Sequence, residues 1–320
     1  MRKPRQNILL LSSLADLMLY RAFRLPSAQS ACLVWPLAAI FWCLVCTLLQ
    51  RRGIPADQNK IYPWLLAGYI LISCIQMYCL LQEIWQNPLG QWILPVVLLL
   101  FAALLPGGNP ASISLSAQIL WGGAGLAILI FLFSAAPNMH LHSLATANGQ
   151  LLRQNALMAL GGLCLPVPEY VLLTDPALEM PPHEKITFPA IFCALQSGLC
   201  LAAELTFGQQ TINLSLYGYE MAKIGTLFSL QRLETLQVVL WLCLLLWRLR
   251  FLFMLSEKRM NLRINPLQIA VLSGLGYFAL LYLVGNIAMI FYAFDFLAAA
   301  AVFYALVGGL LPWKAKSKNV

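Results

Sequence analysis

The stretch Gln150-Leu-Leu-Arg-Gln-Asn-Ala-Leu-Met-Ala-Leu-Gly161-Gly162-Leu-Cys-Leu-Pro166-Val-Pro168-Glu169-Tyr-Val-Leu-Leu-Thr-Asp-Pro-Ala-Leu178 decides how the rest of the chain is read. It has the apolarity and length of a membrane span, for which about 20 residues suffice. Yet Gly161, Gly162, Pro166 and Pro168 sit at its centre, and Glu169 follows at once. Proline removes a helical donor and clashes with the preceding turn; glycine adds backbone freedom. Two of each within positions 161–168 are enough to unwind a turn. In lipid, unwound backbone is tolerated only where it is buried in protein or lines a wet cavity. A carboxylate beside it costs roughly 2.5–3.5 kcal/mol on insertion scales. Broken helices at the midplane are a common place for transporters to hold a ligand. The stretch therefore predicts a binding site, where backbone freed around Gly161, Gly162, Pro166 and Pro168 meets the charged ends of a small zwitterion. Glu169 can pair with a cation, carry a proton or bond to a neighbouring helix. A proline kink with a structural glutamate is the plainer reading of the same residues.

Composition agrees with a membrane setting. The 320 residues are 61% hydrophobic and 10% charged, against about 25% charged in soluble domains. The class expected is an all-α polytopic membrane protein. The net charge of +8 does not point to nucleic acid. The basic residues form short clusters between apolar runs, as cytoplasmic loops do, and no basic stripe with interleaved aromatics occurs. Met1-Arg2-Lys3-Pro4-Arg5 is a basic start, but the apolar stretch after it lacks a small-residue cleavage site, so no secretory signal is expected. Nine cysteines lie almost wholly in apolar runs. Cys43 and Cys46 share a helix face but read as packing residues rather than a redox pair. His140, His142 and His183 fall in connecting segments, and His-x-His alone is a weak zinc signal. Neither disulfides, a metal site nor a cofactor is expected.

Ten apolar segments can be marked, at 7–23, 29–50, 61–85, 89–106, 114–135, 151–174, 187–207, 231–254, 267–286 and 290–312, in one integral membrane domain over 1–320. The first is short and carries Asp16, Arg21 and Arg24. With a cytoplasmic N-terminus, fifteen of the twenty basic residues lie inside or at the inner edge, Arg248, Arg250, Lys258 and Arg259 among them. That bias favours an even number of spans with both termini cytoplasmic. Two connections are longer, 136–150 and 208–230. The second carries Leu214, Leu216, Tyr217, Tyr219, Met221, Ile224, Leu227 and Phe228 among polar residues, which predicts a helix lying at the interface or covering an entrance. No nucleotide-binding loop is present, which excludes an ATP-driven pump in this chain alone.

Polar residues at membrane depth are few: Gln76, Gln196, Asp295 and Glu204, with Asp16 in the first span. Asp16 is the expected partner of Glu169 across a cavity, by analogy with transporters whose first and sixth helices are both broken. The eighth span opens with Ser229 as a candidate N-cap. Arg232 and Glu234, two residues apart, do not face each other on a helix. They read as a structural ion-pair network with other elements, such as Glu204 or Asp16. Serine, histidine and aspartate do not cluster at membrane depth and no metalloprotease signature occurs, so an enzyme is not expected.

Four pieces together resemble the B subunit of spore germinant receptors, a family of the amino acid–polyamine–organocation superfamily. They are Ala136-Pro137-Asn138-Met139-His140-Leu141-His142-Ser143-Leu144; Ala159 through Pro168-Glu169 to Asp175-Pro176; Phe207-Gly208; and Leu227-Phe228-Ser229-Leu230-Gln231-Arg232-Leu233-Glu234-Thr235-Leu236 with Trp241. Their order and spacing agree over roughly residues 60–312. The family's first helix usually carries a glycine at its break; here 7–23 has none, so this helix is short or degenerate. The resemblance implies an inverted-repeat bundle of about ten transmembrane helices with a broken sixth helix. It also implies a small-nutrient pocket between helices one and six, and partnership with a second membrane subunit and a lipoprotein subunit. The location implied is the inner spore membrane.

The leading expectation is a germinant-receptor membrane subunit that senses a small nutrient, an amino acid being the best match, and signals to its partners to start germination. A proton- or sodium-coupled amino-acid permease, with Glu169 or Asp16 as the coupling carboxylate, is the alternative. A scaffold subunit with a degenerate pocket is a third.

Overall fold

The computed structural model describes residues 110–144, 182–208, 210, 217–225 and 233–260, together with scattered positions within 66–81, 93–102 and 268–282. The described elements are all helical. Helix α1 is Pro110–Ala135, α2 is Pro182–Phe207, α3 is Tyr217–Ile224 and α4 is Leu233–Met260. Single 3-10 turns at Ala136–Asn138 and Leu141–Ser143 follow α1. The expected segments 114–135 and 187–207 lie within α1 and α2, and 231–254 overlaps α4. Both α1 and α2 start earlier than apolarity suggests, at Pro110 and Pro182, because proline is pre-organised for the first helical position, where no donor is needed. Helix α4 runs past its apolar part through Glu257, Lys258 and Arg259. Charge ends a hydrophobic run without ending a helix.

Among the described residues, two stretches are long and apolar enough to cross a membrane, Leu115–Asn138 and Leu233–Met254. Of the first, 33% is buried. Its two faces also differ in the sense opposite to that of soluble helices. Small side chains face inward, with Ala117, Ala124, Ala127, Ser134 and Ala135 all buried beside Ile128 and Phe131. Large apolar ones face outward: Leu115, Ile119, Leu126, Leu129 and Phe133, the last 71% exposed. Water penalises such an outward face and lipid does not. Small residues inside let neighbouring backbones come close, which is how membrane helices gain packing contact.

Helix α4 is the more enclosed of the two. Its inward stripe runs Gln237, Trp241, Leu244, Leu245, Arg248 and Leu252, all buried at helical spacing. The Trp247 indole N–H donates to Ser116 Oγ at 3.0 Å and ties α4 to α1. The same ring stacks on Phe251, centroids 5.5 Å apart. Buried hydroxyls are mostly returned to their own helix: Ser73 donates to the Tyr69 carbonyl, Ser134 to Phe131 and Ser256 to Phe253. An unpaired hydroxyl in an apolar interior is costly, and this local bond removes the cost at little expense to the helix.

The short helix α3 packs on α1, α2 and α4 together, at one end of the bundle. The helix expected in 208–230 is thus present. Its Ala222 joins Ala127, Phe131 and Leu233 in a buried apolar cluster. Gly225 follows, buried, its N–H donating to the Met221 carbonyl at 2.9 Å. A Cβ on Gly225 would stand 2.5 Å from Ser134 Oγ and 3.1 Å from the Met221 carbonyl oxygen. Gly225→Ala is therefore expected to destabilise this end by about 1–3 kcal/mol, the usual cost of overpacking. Adding Ser134→Gly removes the closest clash and is expected to recover part of the loss. Thermal unfolding of the single and double variants measures this; an equal loss in both would place the strain on the Met221 carbonyl instead.

Candidate functional site

The end of the bundle under α3 gathers most of the described polar chemistry. Helix α2 stops at Phe207 because Gly208 takes a left-handed conformation, φ 58°. A side chain there would also press on the Ser143 carbonyl oxygen, 3.3 Å from the Cβ position. The turn after α1 is fastened to the same place, since the His140 N–H donates to the Leu205 carbonyl at 2.9 Å. Two residues back, Asn138 Nδ2 donates to the Ile224 carbonyl at the end of α3. The stretches 136–144 and 207–208, singled out separately in the sequence, thus meet in space, and α3 closes over them. The rings of His140 and His142 stack there, centroids 5.2 Å apart, and both side chains are exposed.

Acidic and amide groups line the inside of this end. Glu204, in the last turn of α2, is 2% exposed. In the first turn of α4, Glu234 is half-buried with its Oε2 shielded from solvent. One turn on, Gln237 is 2% exposed. Neither Glu234 Oε2 nor Gln237 Oε1 has a hydrogen-bond partner among the described residues. On the outer side of α3, Lys223 Nζ lies 2.8 Å from Glu220 Oε1 and 4.5 Å from the centroid of the Tyr219 ring. The hydrogen bond to Glu220 holds the Lys223 ammonium above its ordinary range; burial opposes this, and the charges of Glu220, Tyr219 and Glu234 add to it.

Far along α4 lies a second polar feature. Arg248 is completely buried, its guanidinium 4.6 Å from the centroid of the Tyr69 ring. Arginine stacks on aromatic faces through its planar, weakly hydrated cation. Its sequence position suggested only an inner-edge charge; the structure makes it the largest fully buried side chain together with Tyr69.

Of the residues singled out for function, Gly161, Gly162, Pro166, Pro168, Glu169 and Asp16 lie outside the described residues, as do Arg232, Ser229 and Asp295. Glu234 is described; Arg232, the other member of the expected ion-pair network, is not. Glu204, expected from the sequence as a polar group at membrane depth, is buried in α2. Gln237 was missed. It stands three residues after Glu234, the spacing that puts two side chains on one helix face, and that was the signal available. Among the described residues no group of three or more histidines, cysteines, aspartates or glutamates could hold a metal ion, and neither Cys74 nor Cys243 is in a disulfide. No protein-family model and no curated protein matches the chain.

Proposed function

We propose that this chain is a membrane subunit of a spore germinant receptor, built as an inverted-repeat bundle of about ten transmembrane helices. On this reading it binds a small nutrient, an amino acid, at the Gly161–Glu169 break, with Asp16 across the cavity. Binding biases the bundle between two states, and a second membrane subunit and a lipoprotein subunit pass the change on. A ligand shifts such an equilibrium only by its differential affinity for the two states. The reading places the protein in the inner spore membrane with both termini on the core side.

The observation that supports it most is the polar interior of otherwise apolar helices. Glu204, Gln237 and Arg248 are buried in helices whose other residues are mostly apolar. Ionisable groups in that setting are expensive and are kept where they serve a ligand path or a switch. The meeting of 136–144 with 207–208 adds weight, because both stretches carry the family resemblance.

Reconstitution separates a sensor from a carrier. The purified chain in proteoliposomes, offered radiolabelled amino acids under a proton or sodium gradient, is expected to bind substrate without accumulating it. Gradient-driven accumulation by this chain alone would overturn the sensor reading in favour of a coupled permease. Absence of saturable binding to any amino acid would leave only a scaffold role.

A further inference from the structure

We propose that Glu234 and Gln237 form a site for a monovalent cationic group, an alkali ion or the ammonium of a small solute, at the end of α4 that α3 covers. This goes beyond nutrient sensing at the 161–169 break and does not depend on it. The two residues are one turn apart, so their side chains leave the helix on one face, with Cβ atoms about 5–6 Å apart. Gln237 is 2% exposed. Its Oε1 and the Glu234 Oε2 are both shielded from solvent and both lack a partner among the described residues. With both oxygens turned to the same face, a donor or a cation between them would satisfy the two at once.

Charge narrows the choice. A carboxylate oxygen shielded from solvent calls for a donor or a positive partner. Lys223, whose charge interacts with that of Glu234, is engaged elsewhere, on Glu220 at 2.8 Å and over the Tyr219 ring. Its charge acts on Glu234 without filling the acceptor pair. One carboxylate and one amide suit a single positive charge. A calcium or magnesium site draws on more oxygen ligands and more negative charge. Gln237 lies four residues into the apolar stretch that begins at Leu233, about 6 Å along the helix axis, so the pair sits near one end of α4.

The test uses the full-length protein in nanodiscs. Thermal unfolding is followed in sodium, potassium and methylammonium chloride, each against choline chloride at equal ionic strength. Choline carries the charge but has no N–H and is too large for a two-residue site. At least one of the three salts is expected to stabilise the protein saturably above choline. Glu234→Gln and Gln237→Leu are each expected to weaken the apparent affinity tenfold or more, while Thr235→Ala, an exposed change on the same turn, leaves it within twofold. A response to sodium or potassium alone identifies an ion site; a response to methylammonium alone identifies an ammonium site. Equilibrium binding of radioactive sodium or methylammonium to wild type and Glu234→Gln gives the same answer if Gln237→Leu does not fold. No salt effect above choline in the wild type, or an effect that survives both substitutions, overturns the proposal. Loss of nutrient sensing in other variants would leave this result untouched.

Discussion

Spores carrying Glu169→Gln or Pro168→Ala in this subunit are expected to stop responding to nutrient while holding normal amounts of the protein. The two changes act on the proposed pocket by different routes. Glu169→Gln keeps size and shape and removes only the charge. A hydrogen bond to a charged group contributes about 1.5–3 kcal/mol, so its loss weakens ligand affinity roughly ten- to a hundredfold. Pro168→Ala restores a backbone N–H and removes a ring that blocks the helical turn. The backbone groups freed by the break are then drawn back into the helix and no longer face a ligand. Loss of optical density on germination, read beside an immunoblot for the subunit, measures both. Normal germination in both variants would remove the ligand site from 161–169. Loss of the protein itself would show a structural glutamate and kink instead.

The largest loss of stability from one side chain in the described part is expected from Arg248→Ala. Arg248 is 0% exposed and lies against Tyr69, so it joins α4 to the helical positions of the third predicted span. Truncating a large buried side chain to alanine costs about 3–5 kcal/mol where the surroundings cannot collapse. The cation–ring contact contributes up to about 2 kcal/mol when desolvated, and the two terms overlap rather than add. Arg248→Lys is expected to rescue little, since an ammonium lacks the flat face that lies on Tyr69. Arg248→Met, which refills much of the volume, is expected to fall between alanine and wild type. Apparent melting temperatures in one detergent rank the three variants, which is sounder than a two-state free energy for a chain of this kind. A melting temperature for Arg248→Ala equal to that of wild type would show that this end of α4 is not packed as described.

Length and apolarity were enough to expect helices at α1, α2 and α4, and those of α1 and α4 are long and apolar enough to cross a membrane. The interface pattern at Tyr217, Tyr219, Met221 and Ile224 was enough to expect α3. What stayed hidden was which face of each helix points inward. In α1 every face is apolar, so the usual alternation of polar and apolar residues carries no information. The distinction lies in size, with Ala124 and Ala127 inside and Leu126 and Leu129 outside. Gln237 was hidden for a related reason, since an amide one turn into a span is read by eye as the edge of the membrane. Arg248 was taken for an inner-edge charge because Arg250, Lys258 and Arg259 follow it along the same helix. Only the position of Tyr69 reveals that it belongs to the interior. The break at 161–169 remains legible from sequence alone and lies outside the described residues.

The outward face of α1 has a thermodynamic consequence. In the proposed bilayer setting, with lipid against Leu115, Ile119, Leu126, Leu129 and Phe133, sliding or tilting α1 relative to its neighbours would exchange one apolar surrounding for another. Little surface changes its hydration, so the transition carries little change in heat capacity. The balance between two arrangements of such a bundle then varies almost linearly with temperature, without the curvature that water imposes on soluble proteins. What sets that balance is the fit of alanines against neighbouring backbone and the few polar ties such as Trp247 to Ser116.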